Sequence, residues 1–209
     1  MDNLRQLTER YPQLVPITGD INAAFAVIAE SFAGGGKLLI AGNGGSAADA
    51  EHIVGELMKN FEKKRRLPDS FVSEIGKVDP GIAGYLVPRL QPGLAAIALS
   101  AHASLATAII NDIDGNAIFA QQVYGYGKEG DVFLGISTSG NSKNVLYAAA
   151  TARAKKIKVV ALTGGGGGSL RGLADVSIAV PETETRKIQE LHLPIYHCLC
   201  MMLEDHFFQ

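Results

Sequence analysis

Asp131-Val132-Phe133-Leu134-Gly135-Ile136-Ser137 runs directly into Thr138-Ser139-Gly140-Asn141-Ser142, and an alanine-rich stretch follows from Asn144 to Lys155. The first part is short, apolar and bounded by turn residues, as a buried strand is, and the alanine-rich part reads as helix. Four hydroxyl side chains (Ser137, Thr138, Ser139 and Ser142) and two glycines, Gly135 and Gly140, therefore fall in and around a strand-to-helix turn. Backbone N–H groups at a helix start, the positive end of its dipole and the hydroxyls can converge there on an anion without a Lys or Arg. Such a neutral cradle suits a phosphate monoester. An ordinary Ser/Thr cap in a polar loop has the same composition.

Outward from this stretch the pattern repeats. Helices are expected at about 2–11 and 20–33, then strand 37–41, the loop Gly42-Asn43-Gly44-Gly45-Ser46 and a helix over 47–60. Further on come strand 96–99, helices 102–110 and 117–124, strand 131–137, helix 144–155, strand 158–163, a five-glycine loop at 164–168, strand 176–180 and a last helix over 185–208. Alternating strands and helices imply right-handed crossovers and a mainly parallel sheet covered on both faces. Ligands of such sheets bind beyond the carboxyl ends of the strands, where the loops at 42–46 and 137–142 both fall.

At 209 residues and 47% hydrophobic the chain can bury one substantial core and is expected to form a single domain. A formal net charge of -2 argues against nucleic-acid or membrane partners held by bulk electrostatics. The start, Met1-Asp2-Asn3-Leu4-Arg5, is polar, and no uninterrupted apolar run is long enough to span a bilayer, so a cytoplasmic protein is expected. Cys198 and Cys200, two apart in a helical segment, read as core thiols rather than a disulfide or a zinc ribbon. The glycine run reads as a turn that starts a helix at Ser169-Leu170-Arg171, with no catalytic role.

One segment breaks the alternation. Residues 62–92 carry Lys63-Lys64-Arg65-Arg66, four prolines and scattered glycines, too long for a crossover loop. It reads as a surface excursion or subunit-contacting arm, or else as a lid that brings Arg65 or Arg66 toward an anionic substrate.

Two helices carry titratable groups in register. His52 and Glu56 are four apart and share a face, where they could ligate one metal or cooperate in proton transfer. In the last helix Gln189 and His197, eight apart, share another face, His192 is offset by about 60°, and Pro194 removes a helical N–H. An exposed helix histidine at 52 and a core histidine at 197 have the same spacing, and Glu51 reads as a solvated partner of nearby basic residues.

Together, Gly42 to Ser46, Asp49, His52, Glu56, Asn111-Asp112, Gly135 to Ser142, and Ile188-Gln189-Glu190 with His192 and His197 resemble the phosphoheptose isomerases. These are sugar-isomerase (SIS) domain proteins related to sedoheptulose 7-phosphate isomerase. The likeness runs in order from about residue 18 to the C-terminus, apart from 62–92.

The resemblance implies an α/β three-layer sandwich with a five-stranded parallel sheet flanked by helices. An N-terminal helical segment, about 1–33, would pack in a homotetramer whose active sites lie at subunit interfaces. It also implies interconversion of a ketose phosphate and an aldose phosphate, with sedoheptulose 7-phosphate the leading substrate. Carried over by position, Ser137, Thr138, Ser139 and Ser142 would hold the phosphate, with Asn43, Gly44 and Ser46 from the first loop. Asn111, Asp112 and Gln189 would lie near the sugar. Glu56 and His197 would be the catalytic carboxylate and histidine, and His52, Glu56, Gln189 and His197 would bind zinc.

Three features depart from the family pattern. The basic residue common after the catalytic glutamate is here Lys59 or Asn60, Lys187 only approximates the usual arginine before the last helix, and the arm has no counterpart in compact members. A non-catalytic SIS module that binds a sugar phosphate or a replication-initiation protein is the other reading. Retention of both Glu56 and His197 favours the enzyme.

Overall fold

The computed structural model describes residues 3–208; Met1, Asp2 and Gln209 lie outside the described residues, and with them the expected start of the first helix at residue 2. Five strands, β1 (Leu38–Ala41), β2 (Ala96–Ala98), β3 (Val132–Ser137), β4 (Lys158–Thr163) and β5 (Val176–Ala179), form one sheet in the order β2-β1-β3-β4-β5. Every pairing is parallel. The longest register runs from Val132 opposite Lys158 to Ser137 opposite Thr163.

The strands alternate between two cores, which is why they read as near-continuous apolar runs. Leu38, Ile40, Leu134, Ile136 and Leu162 point to one core. That core is shared with helices α1 (Asn3–Arg10), α2 (Thr18–Ala33), α3 (Gly45–Met58) and α10 (Thr185–Phe207). Leu39, Phe133, Val159 and Ala161 point the other way, onto α7 (Ile118–Tyr126), α8 (Lys143–Ala154) and the short α9 (Gly168–Arg171). The three-layer sandwich with a five-stranded parallel sheet is thus the observed architecture. α6 (Ala103–Asp112) packs against α7 at one end.

A buried carboxylate aligns the entry to the sheet. Asp131, fully buried, accepts from Lys37 N at 3.0 Å, Lys128 N at 2.8 Å and Lys37 Nζ at 2.7 Å. It therefore ties the start of β3 to the start of β1. The stretch Pro12–Ala33, with mean hydropathy 1.2, has the length and composition of a membrane span, although Asp20 and Glu30 interrupt it. Ile21, Ala24 and Ile28 of α2 are buried in the core, which accounts for that hydropathy. A 3-10 turn at Pro12–Ile17, not anticipated in the sequence, joins α1 to α2.

The segment at 62–92 contains two helices, α4 (Asp69–Val78) and α5 (Pro80–Leu86), packed on each other. Two of its four prolines, which signal breaks in a sequence, here start helices. Pro68 caps α4, Pro80 opens α5, and Asp79 accepts from Ile82 N at 2.9 Å as an N-cap. The lid role considered for Arg65 is ruled out by its burial. Its side chain is fully covered and donates from Nε to Glu204 Oε1 at 3.1 Å. The same guanidinium donates to the carbonyls of Leu57 (2.7 Å), Glu56 (3.1 Å) and Pro92 (3.3 Å) and lies over the Phe208 ring. Glu204 also accepts from the N–H groups of Phe61, Glu62 and Lys63. Arg66 stays exposed and pairs with Asp69.

Burial pushes the Glu204 carboxyl up, but the three N–H groups and the guanidinium outweigh it and hold the group below its ordinary value. Glu204→Ala leaves the guanidinium and three N–H groups buried without their acceptor, so a loss of about 3–5 kcal/mol in denaturant unfolding is expected. Because the folded pKa is depressed, the carboxylate's contribution is complete above the ordinary value of 4.5 and disappears as the pH falls from there through the folded value. A wild-type stability curve flat through that acid range, or a variant as stable as wild type, would contradict the assignment.

Candidate active site

The hydroxyl loop lies where the sequence places it, at the carboxyl end of β3 before α8. Ser137 is buried at the strand's last position and donates to Ser142 Oγ at 3.2 Å. Ser142 is the N-cap residue of α8, and its side chain makes no bond to the helix backbone, so its hydroxyl points into the loop. Gly140 turns the chain with φ +66°, a conformation open to glycine. Asn141 N donates to Ser139 Oγ at 3.1 Å.

The glycine run, read in the sequence as a turn that starts a helix, also braces this loop. Gly164 N donates to Thr138 O at 3.0 Å, Leu170 N to Gly140 O at 2.9 Å, and Ser169 N to Asn141 Oδ1 at 3.0 Å. A side chain at Gly168 or Gly140 would run into the other loop's backbone. The glycines are therefore a packing requirement as well as a turn.

The loop at 42–46 is joined to the same place. Asn43 and Asn144 exchange two amide hydrogen bonds, each 2.9 Å, across the gap between β1 and β3. This occupies one donor and one acceptor of the Asn43 amide, which the sequence reading gave to the substrate. Gly44 has φ +55° and Ser46 is buried in the first turn of α3. A Cβ on Gly45 would lie 2.6 Å from Gln189 Nε2, so absence of a side chain there lets Gln189 of α10 approach the start of α3.

Two turns farther along α3, the titratable residues converge as their spacing indicates. His52 Nε2 is 3.2 Å from Glu56 Oε1, and Lys59 Nζ is 3.2 Å from the other oxygen, Oε2. Across the helix pair, the His197 ring stands edge-on to His52 with centroids 5.0 Å apart, and Phe61 covers it at 5.3 Å. His197 Nε2 is buried without a hydrogen-bond partner. Burial and the His52 ring lower the pKa of His197, with Glu56 opposing, so the neutral imidazole is the resting form at neutral pH. A cavity of about 300 Å³ opens beside His197, lined among others by Arg10, Tyr11, Phe61 and Glu62.

His192 faces away into the core, wholly buried, and burial lowers its ring to about 4, a backbone contact with Thr163 only partly offsetting this. Asp49 and Tyr196 join the site from behind: Tyr196 Oη is 3.0 Å from His52 Nδ1 and donates to Asp49 Oδ1 at 3.3 Å. Burial raises the Asp49 carboxyl, the phenol and His52 opposing it. Tyr196 was missed in the sequence because its neighbours lie 144 and 147 positions away.

The remaining candidates are not drawn in. Asn111 and Asp112 end α6, exposed and hydrogen-bonded to each other. Glu51 meets the Ser100 hydroxyl at 3.4 Å rather than a basic residue. Among the described residues no three His, Cys, Asp or Glu side chains are grouped as a ready metal cage. Cys198 and Cys200 are buried thiols not joined in a disulfide, as read.

A family model described as SIS domain matches residues 3–78 and 81–164, and so runs through most of the arm that the sequence reading had set outside the likeness. A phosphoheptose isomerase from Thiobacillus denitrificans is 44% identical over 83% of this chain and 77% of its own length. Phosphoheptose isomerase 2 from Campylobacter jejuni is 42% identical over 90% of this chain and 80% of its own length. Among solved structures, the phosphoheptose isomerase of Francisella tularensis superposes with a TM-score of 0.75 at 30% identity, covering 97% of this chain and 92% of that one. That of Neisseria gonorrhoeae gives 0.73 at 33%, covering 97% and 91%. With the sheet order, the hydroxyl loop and the α3–α10 cluster in place, the chain belongs to the phosphoheptose isomerase family of SIS-domain proteins.

Proposed function

We propose that this chain isomerises sedoheptulose 7-phosphate to D-glycero-D-manno-heptose 7-phosphate through an enediolate. The observation that carries the reading is the joining of two unlike ends. A neutral hydroxyl and N–H cradle at 137–142 is linked, through Asn144–Asn43 and Gly45–Gln189, to the His52–Glu56–His197 cluster. The names of the 40–44% identical relatives support the substrate class.

Moving a carbonyl between C2 and C1 requires removal of a carbon-bound proton beside it, stabilisation of the enediolate and return of a proton to the neighbouring carbon. Ser137, Thr138, Ser139 and Ser142, with Ser46 and Gly44 from the first loop, hold the phosphate. Glu56 moves the carbon-bound proton. His197, neutral at rest, exchanges protons with the sugar oxygens. Gln189 meets the sugar between the two ends, and Asn111 and Asp112, exposed at the end of α6 and outside this cluster, would supply hydroxyl contacts to the site of a neighbouring copy in the tetramer.

The nitrogen and oxygen donors of His52, Glu56, Gln189 and His197 fit zinc in kind, and the buried Nε2 of His197 lacks any other partner. When bound there, zinc would supply Lewis-acid polarisation of the carbonyl. The protein acts as a cytoplasmic homotetramer in this reading. Exposed apolar side chains on the arm (Val78, Ile82, Tyr85) and on α6 and its flank (Ile110, Ile113) support burial against other copies.

Incubating the protein with a panel of ketose phosphates and following aldose phosphate formation tests the proposal, with turnover on the seven-carbon ketose expected. Glu56→Gln should lower kcat by about 10²–10⁴-fold while phosphosugar affinity is kept; unchanged turnover removes Glu56 as the base. The double variant Ser139→Ala, Ser142→Ala should weaken phosphorylated sugars selectively in a binding titration. An equal loss for unphosphorylated sugars would place the phosphate elsewhere. Chelator dialysis should abolish turnover and added zinc restore it, whereas full activity in chelator would strike zinc from the mechanism.

A further inference from the structure

Tyr196 is 2% exposed, and its phenol stands between Asp49 and His52. A buried tyrosine that only filled space would have no need of both. A phenol carries one proton, and an ionised carboxylate can only accept. The Tyr196 proton therefore goes to Asp49 Oδ1, and the phenol oxygen faces His52 Nδ1 with a lone pair. His52 must then donate from Nδ1, which leaves the electron pair of the neutral ring on Nε2. Nε2 is the atom 3.2 Å from Glu56 Oε1. Two electron-rich atoms at that separation repel unless a proton or a cation lies between them.

Other contacts hold the arrangement in place. The Tyr196 ring packs edge-on to His52 with centroids 5.5 Å apart and edge-on to His197 at 5.0 Å, so the phenol cannot swing without moving both imidazoles. Asp49 lies in the second turn of α3, and its Oδ2 is buried without a partner among the described residues. The Tyr196 hydroxyl is thus the hydrogen-bond donor that reaches this carboxylate among the described residues.

We propose that Tyr196, with Asp49 behind it, is the positioning pair that fixes His52 as its Nδ1–H tautomer and aims Nε2 at Glu56, making His52 and Glu56 one cation-accepting unit. The tautomer follows from the hydrogen bonds alone; the cation clause rests on the zinc reading above. Outer hydrogen bonds of this kind tune metal affinity by about 10–100-fold.

The test uses chelator-treated full-length protein with nitrogen-labelled histidine near pH 8, above the ordinary carboxylate and imidazole ranges. Nitrogen NMR should show wild-type His52 protonated on Nδ1, and Tyr196→Phe should shift it toward Nε2–H. Zinc titration against a chromophoric competitor should show affinity about 10–100-fold weaker in Tyr196→Phe and in Asp49→Asn. At limiting zinc, kcat should fall with KM for the sugar phosphate unchanged, and excess zinc should restore it. Thermal unfolding separates this from a folding defect. Wild-type His52 protonated on Nε2, or a Tyr196→Phe variant with unaltered tautomer and zinc affinity, overturns the inference. The expected tautomer in a wild type with no zinc affinity would remove the zinc reading and uphold the role of Tyr196.

Discussion

The spacing of α3 and α10 depends on the buried pair of Arg65 and Glu204. Each of these side chains is almost wholly hidden, and neither charge could be left there alone at a tolerable cost. Glu204, near the end of α10, gathers the N–H groups of residues 61–63, which follow α3. Arg65 returns the link by closing the last carbonyls of α3 at Glu56 and Leu57 and taking the carbonyl of Pro92, where the arm re-enters the fold. The two ends of a thirty-residue excursion and the ends of both site helices are thereby held at one point. Phe61, pinned by its N–H to Glu204, is the residue whose ring covers His197. The effect reaches the site without either charge touching it.

What could be read from the sequence was local. A strand, a hydroxyl turn and a helix are consecutive in the chain, so the place of the hydroxyl loop at 137–142 follows from order alone, and the His52–Glu56 pair follows from helical period. Gln189 and His197 were placeable on one face for the same reason. The arrangements that escaped reading are pairings across long separations. Asn43 with Asn144, the glycine run with Gly140, Arg65 with Glu204 and Tyr196 with Asp49 each join residues on different elements. Nothing in a basic run distinguishes an arginine that will be buried from the exposed Arg66 beside it. The two helices of the arm escaped for a different reason. Proline counts as a breaker in a periodicity argument, yet at Pro80 it sits at a helix start, where its missing N–H costs nothing.

The glycines also divide by physical cause. Gly140 and Gly168 have positive φ and lie so close that side chains there would collide with backbone, while Gly167, also at positive φ, faces the Arg171 side chain. Gly45, by contrast, has ordinary dihedrals and is small because Gln189 occupies the space. The first group shapes the hydroxyl loop, and the second lets α10 reach the start of α3. One residue type thus carries two requirements that composition alone cannot separate.

Glu56 has both carboxylate oxygens engaged, and in the proposed mechanism one must be released for it to take a proton from carbon. Lys59, on Oε2, is 60% exposed at its side chain, and an exposed pair of that kind contributes little and is screened by salt. His52, which shares with Oε1 the proton or cation that their separation requires, is held from behind by the Tyr196 phenol and edge-on by two rings. In the proposed mechanism the weaker partner is therefore the one a substrate would displace, so that Oε2 would become the working oxygen while Oε1 keeps the carboxylate plane fixed. The basic residue following the catalytic glutamate, which looked like a departure from the family pattern, then serves as a removable cover for the base. A phosphate held by dipoles and hydroxyls, as proposed for the loop at 137–142, would complement this choice, because no phosphate-binding Lys or Arg would then compete with Lys59 for Glu56.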